Sequence, residues 1–156
     1  MAGNKVELNY EFTQAVVHND VKKAVKFIQK QKNIDKKDVA HYTFLMEAAV
    51  WDRPDILQAL LHAGADPNLQ NKSSHTALML AAMRGHTESV KVLINAGAKL
   101  DIQDYNGHTA LKWAKIHSYT ETFNLLSAAH LKQNTQRTLS AVSRLKGSHP
   151  RLKRRK

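Results

Sequence analysis

Cysteine is absent from this chain of 156 residues, which excludes disulfide bonds and cysteine-ligated zinc sites. No apolar run approaches the length of a membrane span, and the first residues lack the apolar stretch of a secretion signal. Together these absences predict an intracellular protein of the nucleus, the cytoplasm or both, without a membrane span.

The chain also lacks the short motifs that carry catalysis. It contains no glycine-rich phosphate loop, no nucleophile elbow and no His-Glu-x-x-His sequence. We therefore expect no enzymatic activity and no cofactor. Nine histidines leave metal binding as an alternative, since His75 and His108 recur at one position of an internal repeat. A zinc site needs three or four ligands in fixed geometry, and neither cysteine nor a His-x-x-x-His spacing supports this pair, so we expect no metal.

Acidic residues are missing from the end of the chain. Residues 131–156 contain nine lysines and arginines and no aspartate or glutamate, whereas residues 1–130 hold 15 basic and 13 acidic side chains. The net charge of +11 is therefore concentrated in a basic tail that follows a nearly neutral body. The two parts need separate explanations.

An internal repeat with a period of about 33 residues dominates the body. Thr76-Ala-Leu recurs as Thr109-Ala-Leu, and Thr43-Phe-Leu stands the same distance upstream. Further positions recur in step: Ala48, Ala81 and Ala114; Leu60, Leu93 and Leu126; Gly64 and Gly97; Asp38, Asn71 and Asp104. A period of this length is typical of architectures in which one small unit stacks on the next.

Each recurring position has a physical reason. Thr76 stands where a helix begins, and its hydroxyl can cap free backbone N–H groups. Val90, Leu93 and Ile94 recur at the spacing of a helix that buries one stripe. Gly97 follows that helix, where a left-handed residue ends the turn at low cost. Each repeat is therefore predicted to be a turn, a helix, a tight loop and a second helix.

The pattern resembles the ankyrin repeat. The third copy is the best match, with Thr76-Ala-Leu-Met-Leu-Ala-Ala followed by Gly85-His86 and Gly97-Ala98. The resemblance implies an all-α solenoid of stacked helix-turn-helix units, and a hydrogen-bonding structural role for His86. We place the ankyrin-repeat domain at residues 1–130, with repeats at about 8–37, 38–70, 71–103 and 104–130.

The resemblance also implies where a partner protein binds, namely on the concave surface formed by the turn tips and the first helices. Aromatic, methionine and arginine side chains, which are enriched in interface cores, fall on these positions. The predicted partner-binding residues are Tyr42, Trp51, His75, Met83, Arg84, Tyr105, His108 and His117.

Four side chains near this surface have other expected roles. Trp113 shares a repeat position with Leu80 and is expected in the core. Met46 and Met79 are expected to pack inside. Glu47 occupies the Leu80 position one repeat earlier, where it either reaches the surface or pairs locally.

Residues 131–146 are predicted to form an amphipathic helix that caps the last repeat. Its apolar residues Leu131, Leu139, Val142 and Leu145 recur at near-helical spacing. Gly147 and Pro150 then end any helix, and residues 147–156 are predicted to be a disordered basic tail.

The tail ends in a cluster formed by Arg151, Lys153, Arg154, Arg155 and Lys156. A short basic run of this kind indicates a nuclear import signal. Contact with nucleic acid or an anionic surface, and a solubilising role alone, remain alternatives.

Two functions follow from these parts. The first is a monomeric, non-enzymatic adaptor that binds another protein through its concave face, while the tail engages a nuclear import receptor. The alternative is a nucleic-acid-associated protein in which the tail makes the main contact. The chain is also compatible with being a piece of a longer repeat protein.

Overall fold

The computed structural model describes the backbone of residues 5–146 and the side chains of residues 10–145. Eight helices, and no strand, occur within that part of the chain: α1 Lys5–Val17, α2 Val21–Gln29, α3 Phe44–Val50, α4 Pro54–His62, α5 Ala77–Ala82, α6 Thr87–Asn95, α7 Ala110–Ile116 and α8 Thr120–Lys146. Helices α1, α3, α5 and α7 pack in series as an inner layer, and α2, α4, α6 and α8 as an outer layer. The predicted all-α stack of helix pairs is confirmed.

A side-chain oxygen holds each turn between repeats. Asp38, Asn71 and Asp104 occupy the same position of successive turns. In each case Oδ1 accepts hydrogen bonds from the backbone N–H groups two and four residues later, at 2.8–3.0 Å. The chain then passes through a left-handed residue, at His41, Ser74 and Gly107. The three turns therefore share one geometry although their sequences differ.

Threonine caps begin the first helices, as predicted. The Oγ1 atoms of Thr43, Thr76 and Thr109 each accept a hydrogen bond at 3.3 Å from the N–H three residues later. The hydroxyl satisfies one of the four donors that an α-helix leaves free at its start. These caps fix where the inner layer begins in each repeat.

The core follows the recurring apolar positions. Ala48, Ala81 and Ala114 are fully buried, and so are the expected packing residues Met46 and Met79. Leu60, Leu93 and Leu126 line the outer helices at the same level of burial. The small alanines allow close approach of the paired helices, which places the turn tips side by side.

Polar side chains also join one repeat to the next. His86 Nδ1 lies 3.1 Å from the carbonyl oxygen of Ala49, which confirms the predicted hydrogen-bonding role of His86. Arg53, at the equivalent position one repeat earlier, donates from Nε to the carbonyl oxygen of Val16 at 2.6 Å. In both repeats, the side chain at this position therefore hydrogen-bonds to a carbonyl group near the C-terminal end of the inner helix in the preceding repeat.

The last repeat presents a polar face at the end of the stack. Lys112 and Lys115 are exposed on α7, at the positions that Met79 and Ala82 fill in the third repeat. Met79 and Ala82 are buried, and their helix α5 packs against α7 of the following repeat. A polar outer face is what a terminal unit of a solenoid requires.

Helix α8 differs from the predicted separate cap. It continues from Thr120 to Lys146 without a break, because His130 stands where Gly64 and Gly97 end the outer helices of earlier repeats with positive φ. The expectation that its apolar residues cover the last repeat is wrong, since all four are exposed: Leu131, Leu139, Val142 and Leu145.

No helix within residues 5–146 combines the length and the apolarity needed to cross a membrane. The predicted basic tail, residues 147–156, and its cluster from Arg151 to Lys156 lie outside the described residues.

Candidate functional site

The turn tips and the exposed side of the inner helices form one surface, which we call the concave face. Its most projecting side chains are Val39 at 89% and Tyr105 at 79% exposure, with Lys72 at the equivalent position between them. The predicted binding residues fall into two groups at opposite ends of this face, joined by the end of α5.

At the N-terminal end the structure brings Tyr42 and Trp51 together around a cavity of about 330 Å³. Trp51 is 44% exposed and Tyr42 is half-buried. We call this cavity the acidic recess; its lining residues are Thr13, Asp38, Tyr42, Glu47, Val50 and Trp51. Two aromatic rings and two carboxylates therefore share one depression of the concave face.

Glu47 is the unusual member of the acidic recess. Burial raises the pKa of its carboxyl group, the nearby charge of Asp38 acts in the same direction, and a hydrogen bond with Thr13 offsets part of the effect. Of the two alternatives that the sequence left open, the structure gives the first: Glu47 reaches a partly buried edge of the surface, where it bonds to Thr13 on α1 of the preceding repeat.

No basic side chain neutralises the acidic recess within the described residues. Lys36 lines a small adjoining pocket together with Asp38 and Glu47, yet the ion pairs of this part of the chain involve neither carboxylate. Asp38 uses Oδ1 for the turn, which leaves Oδ2 without a turn bond. The recess therefore carries excess negative charge.

Met83 and Arg84 lie between the two groups, at the end of α5. Met83 is half-buried against the core. Arg84 is exposed, and its Nη1 donates a hydrogen bond to the carbonyl oxygen of Leu80 at 3.4 Å. Arg84 is thus a positive charge at the middle of the concave face.

At the C-terminal end, three of the predicted histidines surround Trp113. His75 and His108 approach the indole edge-on with ring centroids 6.0 and 5.0 Å away, and His117 stacks on it at 5.8 Å and 16°. Tyr119 in turn stacks on His117 at 5.9 Å. We call these five residues the aromatic cluster.

The prediction that Trp113 belongs to the core is only partly right. The indole packs against the core but is half-buried, whereas Leu80 at the same repeat position is 2% exposed. Trp113 rests on the core with one side and presents the other to the concave face.

Asp104 anchors the aromatic cluster from below. Its side chain is 1% exposed, and Oδ2 accepts a hydrogen bond from Trp113 Nε1 at 2.9 Å and lies 3.4 Å from His75 Nε2. Burial alone would raise the pKa of Asp104, but hydrogen bonds from the N–H groups of His108 and Asn106 and from the indole outweigh it and lower that pKa. A charged, buried carboxylate therefore fixes the indole.

His108 contributes an unpaired polar atom to the aromatic cluster. Its Nδ1 is buried and has no hydrogen-bond partner among the described residues. Those residues also contain no group of three histidine, aspartate or glutamate side chains arranged to hold a metal ion. The cluster is therefore an aromatic surface supported by one carboxylate.

A second cavity, of about 350 Å³, lies on the outer layer between α4 and α6. Leu61, Pro67 and Val92 line it together with a few neutral polar groups. It gathers neither carboxylates nor tryptophan, so the concave face remains the better candidate site.

Sequence reasoning missed Glu47, Asp38 and Thr13 as parts of a recess, and Trp113 and Tyr119 as parts of a surface. One signal was present: Glu47, Leu80 and Trp113 share a repeat position, and a residue that varies this strongly within one position rarely has a single packing role. Only the folded structure shows which way each side chain points.

The comparisons with known proteins bear on the whole stack. The family model of ankyrin repeats, in three copies, matches residues 45–137. No curated protein shows significant similarity to the chain. The matched segment spans more than half of the sequence and contains three of the helix pairs described above. The chain belongs to the ankyrin-repeat family.

Proposed function

We propose that the protein is an adaptor that binds an extended segment of a partner protein along its concave face and places a lysine or arginine of that segment in the acidic recess. Ankyrin repeats generally mediate protein–protein interaction and are typically not enzymes. The observation that carries the finer proposal is the unneutralised pair of carboxylates beside two aromatic rings.

A single lysine or arginine side chain complements all the groups that line the acidic recess. Its charged group pairs with Glu47 and Asp38, and its apolar stem lies along Val50. Trp51 and Tyr42 line the recess, and a cation placed over the face of such a ring gains about 0.5–2 kcal/mol depending on desolvation. Glu47 bonds to Thr13 but has no counter-charge among the described residues, and a half-buried charge without one is costly, so supplying a cation gives a net gain.

The rest of the concave face determines the direction in which the partner segment binds. Arg84 lies at the middle of the face, and the imidazoles of the aromatic cluster lie at the end away from the negative recess. A partner segment with a basic residue at one end and an apolar or acidic one at the other fits this polarity in one direction only. Electrostatic complementarity of this kind mainly sets specificity and association rate.

The test is quantitative affinity capture with the wild type and the variant Trp51→Ala/Arg84→Ala. Both side chains are exposed, so helical content and thermal melting should stay unchanged. We expect proteins held by the concave face to be lost, with affinity falling at least about tenfold, the usual effect of a hot-spot pair. The matched control is Asp55→Ala/Glu88→Ala on the outer helices, which should capture like the wild type.

A second step identifies the side chain that enters the acidic recess. The captured segment is mapped, and each of its lysines and arginines is replaced by glutamine. One replacement should weaken binding to the wild type but have little further effect on Glu47→Gln. If all replacements act equally on both proteins, or if the Trp51/Arg84 variant retains its partners, the proposed face is wrong.

The basic tail supports a second role that we propose alongside the first, namely import of the adaptor into the nucleus. Its support is the cluster from Arg151 to Lys156 in the sequence. Replacing Arg154, Arg155 and Lys156 by glutamine in a fluorescent fusion should shift the protein from the nucleus to the cytoplasm.

The alternative is that the tail binds nucleic acid. In that case deleting residues 147–156 abolishes binding to a short duplex, and the affinity of the full chain falls steeply as salt rises. Unchanged duplex binding after deletion excludes this alternative.

A further inference from the structure

The second half of α8 extends beyond the repeats. Residues 134–145 are exposed throughout, whereas Leu126 in the first half is 1% exposed. The side of α8 that faces the repeats continues from Leu126 through half-buried Gln133 to Arg137, whose guanidinium lies 3.5 Å from Asp101. This contact fixes which way the helix is turned.

The apolar residues of this segment lie on the opposite side. At 3.6 residues per turn, Leu131, Leu139 and Val142 are placed roughly 140–160° around the helix axis from Leu126. Their exposed fractions are 65%, 64% and 43%. We call these three residues the outer stripe. The outer stripe is therefore a row of apolar side chains directed away from the body of the protein.

The helical segment that carries the outer stripe is basic. Lys132 and Arg144 are both exposed on it; Lys132 lies about 20° from Leu139 at the edge of the stripe, whereas Arg144 lies on the side of Leu126. In the sequence no aspartate or glutamate follows Glu121, while residues 131–156 carry nine lysines and arginines. An exposed apolar stripe on a basic segment without acidic residues complements a surface that is both apolar and negatively charged.

We propose that this segment binds an anionic membrane surface, with α8 lying in the plane of the interface. The outer stripe enters the boundary between headgroups and acyl chains, and the basic side chains contact lipid phosphates and carboxylates. This proposal is independent of the concave face.

Other occupants explain fewer of the observations. Nucleic acid attracts the basic residues but has no use for exposed leucines on a free helix side. A second copy of the chain would bring two acid-free helices together, and their like charges repel. Of these three occupants, the anionic bilayer is the one that uses the charges and the outer stripe at once.

The experiment is co-sedimentation of the full-length protein with vesicles. We expect strong partition onto vesicles of phosphatidylcholine with about 30% phosphatidylserine, and weak partition onto pure phosphatidylcholine. Leu131→Ser/Leu139→Ser/Val142→Ser should lower partition at least about tenfold, because it removes the apolar contribution. Lys132→Gln/Arg144→Gln should lower it about fivefold for each charge.

The matched control replaces exposed apolar residues elsewhere. Val39→Ser/Ile116→Ser changes side chains that are 89% and 46% exposed but lie off α8. This variant should bind vesicles like the wild type. All variants should melt at the wild-type temperature, since none of the altered side chains is buried.

Several outcomes overturn the proposal. Triple-serine protein that sediments like the wild type means that tail charges alone attract the vesicles. Absence of sedimentation, together with equal binding of a DNA duplex by wild type and triple variant, assigns the segment to nucleic acid. A dimer seen by analytical ultracentrifugation that the triple variant loses assigns the stripe to a second copy.

Discussion

The two ends of the concave face use the same repeat positions to opposite effect. Glu47 and Trp113 stand two repeats apart in equivalent places, as do Asp38 and Asp104. At the N-terminal end a carboxylate at this position leaves the recess open, and burial raises its pKa. At the C-terminal end an indole fills the space and donates to Asp104, whose pKa is lowered.

This difference between the two ends distinguishes the residues that build the fold from the residues that form the candidate site. Caps, turns and alanines are alike at both ends because every repeat must solve the same packing problem. The exposed side chains of α3 and α7 do not contribute to this shared packing, and they differ between the two repeats. One end is therefore an unfilled negative depression and the other a filled aromatic platform, on one and the same backbone.

The largest effect should come from Asp104→Ala. This change leaves two backbone N–H groups and the indole N–H without their acceptor, so we expect a loss of about 3 kcal/mol in the free energy of unfolding, measured by urea titration. Asp104→Asn keeps Oδ1 for the turn, as Asn71 does in the third repeat, and should lose only about 1 kcal/mol.

The corresponding change at the other end, Asp38→Ala, should cost less than Asp104→Ala, because Asp38 holds a turn and no indole. Equal losses from Asp38→Ala and Asp104→Ala would contradict the anchoring role of Asp104.

An intermediate effect should come from the caps, where the two ends are predicted to agree. Thr43→Ala and Thr109→Ala each remove one hydrogen bond of 3.3 Å at a helix start. Each should lower the free energy of unfolding by about 1 kcal/mol. Thr→Ser variants at the same positions serve as controls and should retain most of the stability. Clearly unequal losses would show that the scaffold is not shared.

The smallest effect should come from Glu47→Gln, and it should depend on pH. The folded protein raises the pKa of Glu47 above its ordinary value of 4.5, so the native state binds the proton more tightly and the wild type loses stability as pH rises through that interval. Glu47→Gln removes this loss. Melting temperatures should therefore favour the variant at pH 7 and converge below pH 4.

Asp104 should give the opposite pH signature. Its pKa is lowered from 3.8, so its contribution to stability is present above the ordinary value and disappears as pH falls through the folded value. Comparing wild type with Asp104→Asn should show the difference at neutral pH and a smaller one in acid. Parallel pH curves for Glu47→Gln and Asp104→Asn would remove the contrast between the two ends.

Much of the scaffold could be predicted from the sequence, because its structural positions recur in each repeat and require particular residue types. Threonine at a cap, alanine between paired helices and glycine after α4 and α6 are such cases. Left-handed residues at Asn19 and Asp52 were not recognisable, because side chains other than glycine conceal that conformation.

The candidate site was harder to predict, because the repeat period gives the spacing of residues along the chain but not which side chains surround each of them in the fold. Analogy with Leu80 places Trp113 wholly in the core, but the indole is larger than the leucine side chain and stays half-buried between the three imidazoles of the aromatic cluster. Helical spacing alone suggests that the apolar residues of α8 pack inward. Their phase relative to buried Leu126 decides the direction, and it points Leu139 and Val142 outward.

The lysines on α7 bear on how this array can be re-engineered. A duplicate of residues 71–103 inserted next to the original creates one new junction, in which the side of the third repeat that faces the fourth repeat meets the side that faces the second. Since caps and core alanines recur in step, we expect the array to accept this insertion. Extension past α7 would first require Lys112→Met and Lys115→Ala, since charged side chains make that surface unable to accept another unit. Repeats can therefore be added in the middle of the array, whereas the charged surface of α7 prevents addition at this end.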